Sequence, residues 1–518
     1  MQQVGFSKKV CILKSLLNFI LNSMIIDWII LLLMALFTYL IVRRSVAGVT
    51  TTPVWLLWLV LMTPPFVWSL WVVVYGAKQL PPIELLIGMS ILSIFFYLKL
   101  HQKGRKNLTP PQQEPSKTLE PAPLVKAIVP PPLPLRPIDK EEETKLRNCF
   151  PWSIFYLNNI EYRPQAIICR GQLKEKSSSQ AYDRIKENVR ANFGDRFLVL
   201  FQEDSTGKPF FALVPNPQSA SKPKNNQITR PGLALGLLIA TIFTTTFVGV
   251  EIANASNVAL LKSEPGILLS GLPYAASLMT ILGIHELGHY LAARYYKIRA
   301  TLPYFIPFPA FLGTFGAFIQ MRSPVPNRKA LFDVSIAGPL AGFIVTLPVL
   351  IWGLAHSTIV SLPEKADQVL NPNALNPNYS LLLALLSKLT LGIQLTGDRA
   401  LDLHPVAVAG LIGLIATALN LIPVGQLDGG HIIHAMFGQR NGIAIGQISR
   451  FLLLGLALLQ PGFLIWAIIL FFMPITDEPA LNDISELDNQ RDILGILAMA
   501  LLIMIILPMP EKFAQFLN

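Results

Sequence analysis

Apolar runs of about twenty residues recur along this chain, and a helix of that length spans the hydrocarbon core of a bilayer. Of the 518 residues, 52% are hydrophobic and only 14% are charged, which excludes an ordinary water-soluble globule. We therefore expect a mainly α, polytopic transmembrane protein. The runs cover residues 24–42, 54–75, 82–100, 231–251, 268–296, 331–354, 404–422, 443–472 and 492–508, and Pro461 is a possible break in the run 443–472.

Charged residues set the expected orientation of these runs. The 42 Lys and Arg residues outnumber the 31 Asp and Glu residues, and a basic excess in a membrane chain marks its cytoplasmic loops. No nucleic-acid-binding motif accompanies that excess, so the expected surroundings are lipid and nucleic acid is not expected as a partner. The charges assign alternating sides and place the soluble region that precedes residue 231 in the cytoplasm. The basic clusters are at 222–230, 294–299, 322–329 and 440, and the 477–492 loop is acidic.

The N-terminus conflicts with this orientation. Lys8, Lys9 and Lys14 would lie on the opposite side if all three N-terminal runs span, so either one run is re-entrant or these charges are overruled. The first apolar stretch continues for about twenty residues without a small-residue cleavage site, which predicts a retained membrane helix. The opening does not resemble a plastid transit peptide, and a bacterial, cyanobacterial chain in the plasma or thylakoid membrane is the expectation.

The composition predicts four regions along the chain. Ten prolines fall within residues 109–137, a density that favours extended polyproline segments and cannot bury a core. The region that follows alternates apolar and polar residues like strands and contains one amphipathic helical pattern. We expect this small α+β domain to gate or select substrates, although a simple spacer fits its sequence equally well. The regions are an N-terminal membrane module (1–100), a Pro-rich linker (101–140), a soluble α+β domain (141–228) and a second membrane domain (229–518).

One apolar run contains ionisable side chains in a recognisable spacing. His285 and His289 are four residues apart, so one face of a helix presents both imidazoles to a single zinc ion. Glu286 lies beside the first histidine, where its carboxylate can act on a metal-bound water. Placing charged side chains inside an apolar span costs about 2.5–3.5 kcal/mol each on insertion scales, so this cluster indicates a function. A polar cluster that only packs helices is the alternative.

A hydrolytic zinc site takes three protein ligands, and Asp428 is the best candidate for the third. It follows Asn420 and the break at Pro423, and two glycines come directly after it. Irregular backbone at membrane depth requires protein or a water-filled cavity around it, so this acid is expected to line a cavity. His431 would approach the metal if its segment is helical, but a hydrogen-bonding role beside the site is the simpler interpretation.

Together the segments HELGH and NLIPVGQLDG resemble the site-2 protease family of intramembrane zinc metalloproteases. The GTFGAF and HPVAVAG segments resemble its cyanobacterial and plastid branch in particular, and the match covers roughly residues 230–510. The resemblance implies one Zn²⁺ held by His285, His289 and Asp428, with Glu286 as the catalytic base. Asn420 is implied to hold the substrate or to shape the site.

The same resemblance implies the substrates. They are membrane-spanning proteins cut within the bilayer, as in regulated intramembrane proteolysis. A PDZ-like insert, common in bacterial relatives, is not evident between the two motifs. Two alternatives remain: a metal or proton transporter, and a non-proteolytic chaperone or assembly factor that keeps the fold. The concentration of polar groups on two segments argues against the first, and the intact Glu286 argues against the second. The oligomeric state stays open.

The segment 302–324 is apolar but interrupted by Pro and Gly, so it is too broken for a simple span. We expect a re-entrant, strand-like loop that binds unwound substrate by strand addition. A membrane-dipping structural hairpin is the alternative. The small residues Gly338, Ala341 and Gly342 are expected to allow close helix packing.

Overall fold

The computed structural model describes two compact units, Met1–Ile128 and Val129–Asn518. The predicted runs 24–42 and 82–100 and most of the Pro-rich linker lie outside the described residues. These residues are 52–75, 138–163, 166–204, 206–216, 230–253, 265–308, 312–361, 374–375, 380–392, 399–459 and 463–508, with isolated positions between 35 and 100.

Two consecutive helices occupy the predicted run 54–75 in the first unit. Helix α1 covers Val54–Leu61 and helix α2 covers Thr63–Tyr75, and the pair is bent by 53°. The prolines at 64 and 65 lie in the first turn of α2, where a missing N–H costs no intrahelical hydrogen bond. The bent pair is either one broken span or a re-entrant loop, the alternative raised by the N-terminal charges.

The second unit begins with an α+β domain, residues 138–216. Helix α3 (Lys140–Asn148) is followed by strands β1 (Phe155–Arg163) and β2 (Ala166–Leu173), helix α4 (Ser178–Phe193), and strands β3 (Phe197–Glu203) and β4 (Pro209–Pro215). The strands form one antiparallel sheet in the order β1-β2-β4-β3. Alternate residues of β3 and the apolar face of α4 fill its core, as the alternation in the sequence predicts.

Apolar helices make up most of the rest of the second unit. They are α5 (Pro231–Ala253), α6 (Leu272–Tyr295, preceded by the 3₁₀ turn Pro265–Gly271), α7 (Arg328–Ala355), α8 (Leu381–Leu391), α9 (Pro405–Leu421), α10 (Asp428–Leu459), α11 (Leu464–Phe472) and α12 (Asn489–Ile506). Among the described residues of this unit, α5, α6 with its 3₁₀ turn, α7 and α12 are long and apolar enough to cross a membrane. The protein is therefore a mainly α, polytopic membrane protein.

Two predicted spans differ in detail from the helices. The run 404–422 is a helix of 17 residues, shorter than a simple span. Helix α10 begins earlier than the predicted run 443–472, at Asp428, and it contains a kink at Gly438, whose φ of 81° only glycine adopts readily. A new helix begins at Leu464, which agrees with the interruption predicted near Pro461.

Short strands fill two of the connections. The segment 302–324 contains the predicted strand-like loop as a hairpin of β5 (Tyr304–Pro307) and β6 (Thr314–Phe318). A second small sheet, which the sequence did not indicate, joins β7 (Thr358–Ser361), β8 (Ala374–Leu375) and β9 (Arg399–Asp402).

Candidate metal centre

Helix α6 presents three buried polar side chains. His285, Glu286 and His289 are 6%, 7% and 8% exposed, although the helix around them is apolar. One helical turn separates the two histidines, and their Nε2 atoms lie 3.2 Å apart. This convergence is what the four-residue spacing predicts.

Asp428 enters the same site from the break between α9 and α10. Helix α9 ends at Leu421, and a tight turn returns the chain so that α10 begins at Asp428 itself. The turn is closely packed: a side chain on Gly429 would collide with the carbonyl of Leu421, and one on Gly430 with the carbonyl of Gly425. These glycines therefore allow the approach that brings Asp428 to the histidines.

The three side chains form a group with the spacing of metal ligands. The Asp428 Oδ2 atom lies 3.3 Å from the His289 Nε2 atom and 3.7 Å from the His285 Nε2 atom. Two ligands about 2.0–2.1 Å from a tetrahedral zinc are about 3.3 Å from each other. His285, His289 and Asp428 are also the one group of potential metal ligands in the described part of the chain. Two imidazoles and one carboxylate fit Zn²⁺ in number, donor type and spacing.

A backbone contact fixes the tautomer of one histidine. The Nδ1 atom of His289 lies 2.7 Å from the carbonyl oxygen of Val334 in α7. Since the carbonyl can only accept, Nδ1 carries the proton and donates it, and Nε2 keeps its lone pair for a metal. The neighbouring helix thus prepares His289 as a ligand.

Glu286 and Asn420 lie next to this group without joining it. The Glu286 carboxylate accepts a hydrogen bond from the backbone of Ile319, directly after strand β6. The Asn420 Nδ2 atom lies 3.1 Å from the His285 Nε2 atom. The structure therefore brings together all five residues that the sequence singled out: His285, Glu286, His289, Asn420 and Asp428.

Two other histidines, His431 and His404, have partners outside the ligand group. His431 does not join the ligand group, because its Nδ1 atom lies 2.8 Å from Asp477 Oδ1, which agrees with a role beside the site. His404 precedes α9, as expected for a helix start, and its Nδ1 atom accepts a hydrogen bond from the backbone N–H of Val406.

The sequence did not predict a buried ionic cluster below the site. His434 lies between two carboxylates, with Asp477 Oδ2 2.6 Å from its Nδ1 atom and Asp483 Oδ1 3.0 Å from its Nε2 atom. The spacing of His431 and His434 on one helix and the acidic loop near residue 480 were the available signals. The pairing spans more than forty residues, so no local pattern reveals it.

A polytopic helical protein with a buried two-histidine, one-carboxylate centre and an adjacent glutamate belongs to the class of membrane metalloenzyme scaffolds. Residues 273–459 match the profile of Peptidase family M50. This segment is thus a domain of that family, the site-2 proteases, and the relatives of the chain are of the plastid type.

Three plant relatives illustrate the similarity. The chain is 37% identical over 248 residues to "Probable zinc metalloprotease EGY1, chloroplastic" of Arabidopsis thaliana, which covers 48% of this chain and 44% of that protein. Identity to the EGY1 protein of Oryza sativa subsp. japonica is 30% over 383 residues, with 68% and 64% covered. Identity to the EGY2 protein of Oryza sativa subsp. indica is 29% over 370 residues, with 70% and 65% covered.

This chain therefore spans less than two thirds of the length of these relatives. No solved structure matches it significantly. The bacterial origin predicted from the N-terminus is not confirmed, since these relatives are plant proteins with chloroplastic names. The other part of that prediction, that the protein is an integral, multi-pass membrane protein, is confirmed.

Proposed function

We propose that this protein is a zinc-dependent intramembrane endopeptidase that cuts membrane-spanning segments of other proteins. The observation that carries the proposal is the convergence of His285, His289 and Asp428 beside the carboxylate of Glu286. The two histidines and Glu286 lie on α6, a helix that is long and apolar enough to cross a bilayer. The metalloprotease names of the relatives support the same chemistry. Nothing in these comparisons favours the transporter or the assembly-factor alternative.

His285, His289 and Asp428 hold the zinc in this proposal, one ion per chain. Bound zinc lowers the pKa of a water ligand and polarises a carbonyl. Glu286 takes the proton from the attacking water and then delivers it to the leaving nitrogen, so that the peptide C–N bond breaks and an acid and an amine form. Asn420 donates its amide N–H toward the scissile carbonyl oxygen and so stabilises the charge that develops there.

Substrate binding follows from the hairpin beside Glu286. A helical substrate hides its carbonyls in its own hydrogen bonds, so it must unwind before attack. In the described residues the β5–β6 sheet has two strands, and each strand has one edge facing away from its partner. Because β6 leads directly to Ile319, whose backbone contacts Glu286, a substrate strand added along β6 would pass the carboxylate.

The partners and the setting follow from the same proposal. The substrates are membrane-spanning proteins in a lipid bilayer, and their cleavage is regulated intramembrane proteolysis. The chloroplastic names of the relatives support a photosynthetic membrane. We also propose that the chain works as the four regions predicted from its sequence (1–100, 101–140, 141–228 and 229–518). The α+β domain acts on substrate access from the cytoplasmic side.

The experiment compares purified wild type with Glu286→Gln on a panel of single-span substrates, with and without a zinc chelator. Cut products found by mass spectrometry with wild type alone, and abolished by chelation, are the expected result. Cleavage by both proteins, or cleavage that survives chelation, would overturn the proposal. The product masses locate the bond.

A further inference from the structure

The edge strand of the α+β domain does not end the sheet, because a distant segment pairs with it. The backbone N–H of Phe201 donates to the carbonyl of Leu481 at 2.7 Å, and the N–H of Asp483 donates to the carbonyl of Phe201 at 2.9 Å. This is the pattern of a parallel strand pair. Residues 481–483, here called the bridging segment, thus extend β3 by strand addition.

The bridging segment is anchored on its other side as well. The N–H of Leu481 donates to the carbonyl of Val325 at 2.9 Å, and the N–H of Asn482 donates to the carbonyl of Pro326 at 3.0 Å. Helix α7, which contacts His289 through Val334, begins two residues later at Arg328. The bridging segment therefore lies between the domain and the start of a helix that forms the metal centre.

Apolar packing adds to these hydrogen bonds. Leu481 and Ile484 pack against the hydrophobic core of the α+β domain, although they lie between α11 and α12 in the chain. Burial of such side chains is favourable in proportion to the apolar area removed from water. The domain and the bridging segment are thus expected to dock and separate together.

The side chain of Asp483 points away from the domain and into the ionic cluster. Both of its oxygens lie 3.0–3.1 Å from the Nε2 atom of His434, and Asp477 holds the opposite nitrogen at 2.6 Å. All three side chains are at least 90% buried. A histidine whose two nitrogens both face carboxylates donates from both, so its ring position is fixed by Asp477 and Asp483 together.

His434 belongs to the helix that begins at Asp428. Six residues separate them, a rise of about 9 Å along the axis. The kink at Gly438 follows within two turns, so the segment 428–437 is a short helix that Asp477 and Asp483 hold from one side. This short helix therefore links His434 of the cluster directly to Asp428 of the metal centre.

We propose that docking of the α+β domain positions Asp428, through the bridging segment and the Asp483–His434 contact. The inference rests on the proposed function, since it assigns regulation to the same centre. His434 and Asp483 are positioning residues: they touch neither metal nor substrate. When the domain separates, Asp483 leaves His434, the helix 428–437 loses its restraint, and the third ligand moves. The domain is then a permissive element that keeps the centre assembled.

The test uses the full chain in lipid nanodiscs and two variants. Leu481→Asp opposes docking of the bridging segment, and Asp483→Asn leaves the docking surface intact while it weakens the contact to His434. Hydrogen exchange of residues 197–203 reports docking, and exchange of residues 428–437 reports the restraint on the helix. The rate of zinc loss to a chelator reports how firmly the three ligands hold the metal. Glu486→Gln is the matched control, an exposed carboxylate in the same loop.

We expect Leu481→Asp to speed exchange in both regions, Asp483→Asn to speed it in 428–437 alone, and both to speed zinc loss about tenfold, as changes near a metal ligand commonly do. His434→Gln, which removes the contacts to both Asp477 and Asp483, should speed exchange in 428–437 at least as much as Asp483→Asn does. Faster exchange in 197–203 with unchanged 428–437 and unchanged zinc loss would overturn the proposal. So would an equal effect of Glu486→Gln. A wild type that holds no zinc would refute the proposed function instead, and the exchange data would still decide the coupling.

Discussion

Gly338 of α7 faces the imidazole of His289, and a Cβ atom built on this glycine would collide with the His289 ring. One turn later Gly342 faces His285, and a Cβ atom built on it would make a tight contact 3.1 Å from the Nδ1 atom. The two glycines thus make room for both histidines. Gly338 and Gly342 were expected to allow close helix packing, and the structure shows what packs there.

Gly338→Ala is predicted to disrupt the metal centre. Alanine in a helix interior gains about 0.5–1 kcal/mol over glycine, so the helix itself should tolerate the change. The collision with His289 outweighs that gain, because the ring must leave its place beside Asp428. Zinc content measured by mass spectrometry should fall well below one per chain. Gly455→Ala, in a helix with open space around it, is the control and should retain zinc.

Asn420→Ala is predicted to slow cleavage without loss of zinc. The Asn420 Nδ2 atom lies 3.1 Å from the His285 Nε2 atom, but Asn420 is absent from the ligand group. If the amide donates to the scissile carbonyl oxygen as proposed, its removal should cost about 10²–10³ in kcat, the range for a lost oxyanion donor. Zinc content and kcat measured on the same preparation separate the two effects. A variant that loses zinc in proportion to activity would assign Asn420 to the structure of the centre.

Strand addition along β6 predicts a period of two in the substrate. Single N-methyl groups placed at successive residues near the cut bond should inhibit cleavage at alternate positions, since alternate N–H groups of a strand point to the same edge. Relative cleavage rates across such a series are the measurement. Uniform tolerance would favour a hairpin with a structural role only.

Gly313→Val should damage the same hairpin. Gly313 has a φ of 80°, and a Cβ atom built on it would lie 2.5 Å from the Cα atom of Thr245. Cleavage should fall while zinc is retained, whereas Gly232→Val, in open space, should cleave normally. Unchanged cleavage by Gly313→Val would count against the role of the hairpin.

The cluster around His434 predicts a dependence of stability on pH. Burial lowers the pKa of His434, but hydrogen bonds to Asp477 and Asp483 outweigh it and raise the pKa to about 9. Burial likewise raises the pKa of Asp477, and its contacts with His431 and His434 bring it down to about 2. The Nε atom of Arg328 lies 3.8 Å from Asp483 Oδ1, so a second positively charged side chain faces the two aspartates.

A histidine with a raised pKa contributes stability that is complete below its unfolded pKa of about 6.5 and is lost as the pH rises through about 9. An aspartate with a lowered pKa contributes stability above about 3.9, which is lost as the pH falls toward 2. The melting temperature of wild type should therefore decline between pH 6.5 and 9, and His434→Gln should flatten that decline. His356→Gln, at an exposed histidine, should keep the wild-type slope.

The sequence predicted that His285, His289 and Asp428 lie together, because its signals are local. The spacing of His285 and His289 requires one helix, and the Pro and Gly residues around Asp428 mark a break at membrane depth. The hairpin at 302–324 was predicted for the same reason. The early start of α10 was missed, because the polar residues after Asp428 interrupt the apolar pattern that marks a span.

Contacts between distant segments escaped prediction. The pairing of Phe201 with residues 481–483 depends on backbone groups, which any sequence supplies. The bonds from His434 to Asp477 and Asp483 join side chains 43 and 49 residues apart. The role of the α+β domain could not be derived from its own sequence, because its link to the centre lies in a loop far along the chain.

Zinc content tests the central claim most directly. Wild type, Glu286→Gln, His289→Ala and Asp428→Asn would be purified alike and measured by mass spectrometry after brief exposure to a chelator. One zinc per chain should remain in wild type and in Glu286→Gln, while His289→Ala and Asp428→Asn should lose it. Full retention of zinc by Asp428→Asn, or its loss from Glu286→Gln, would contradict the assignment of ligands and base.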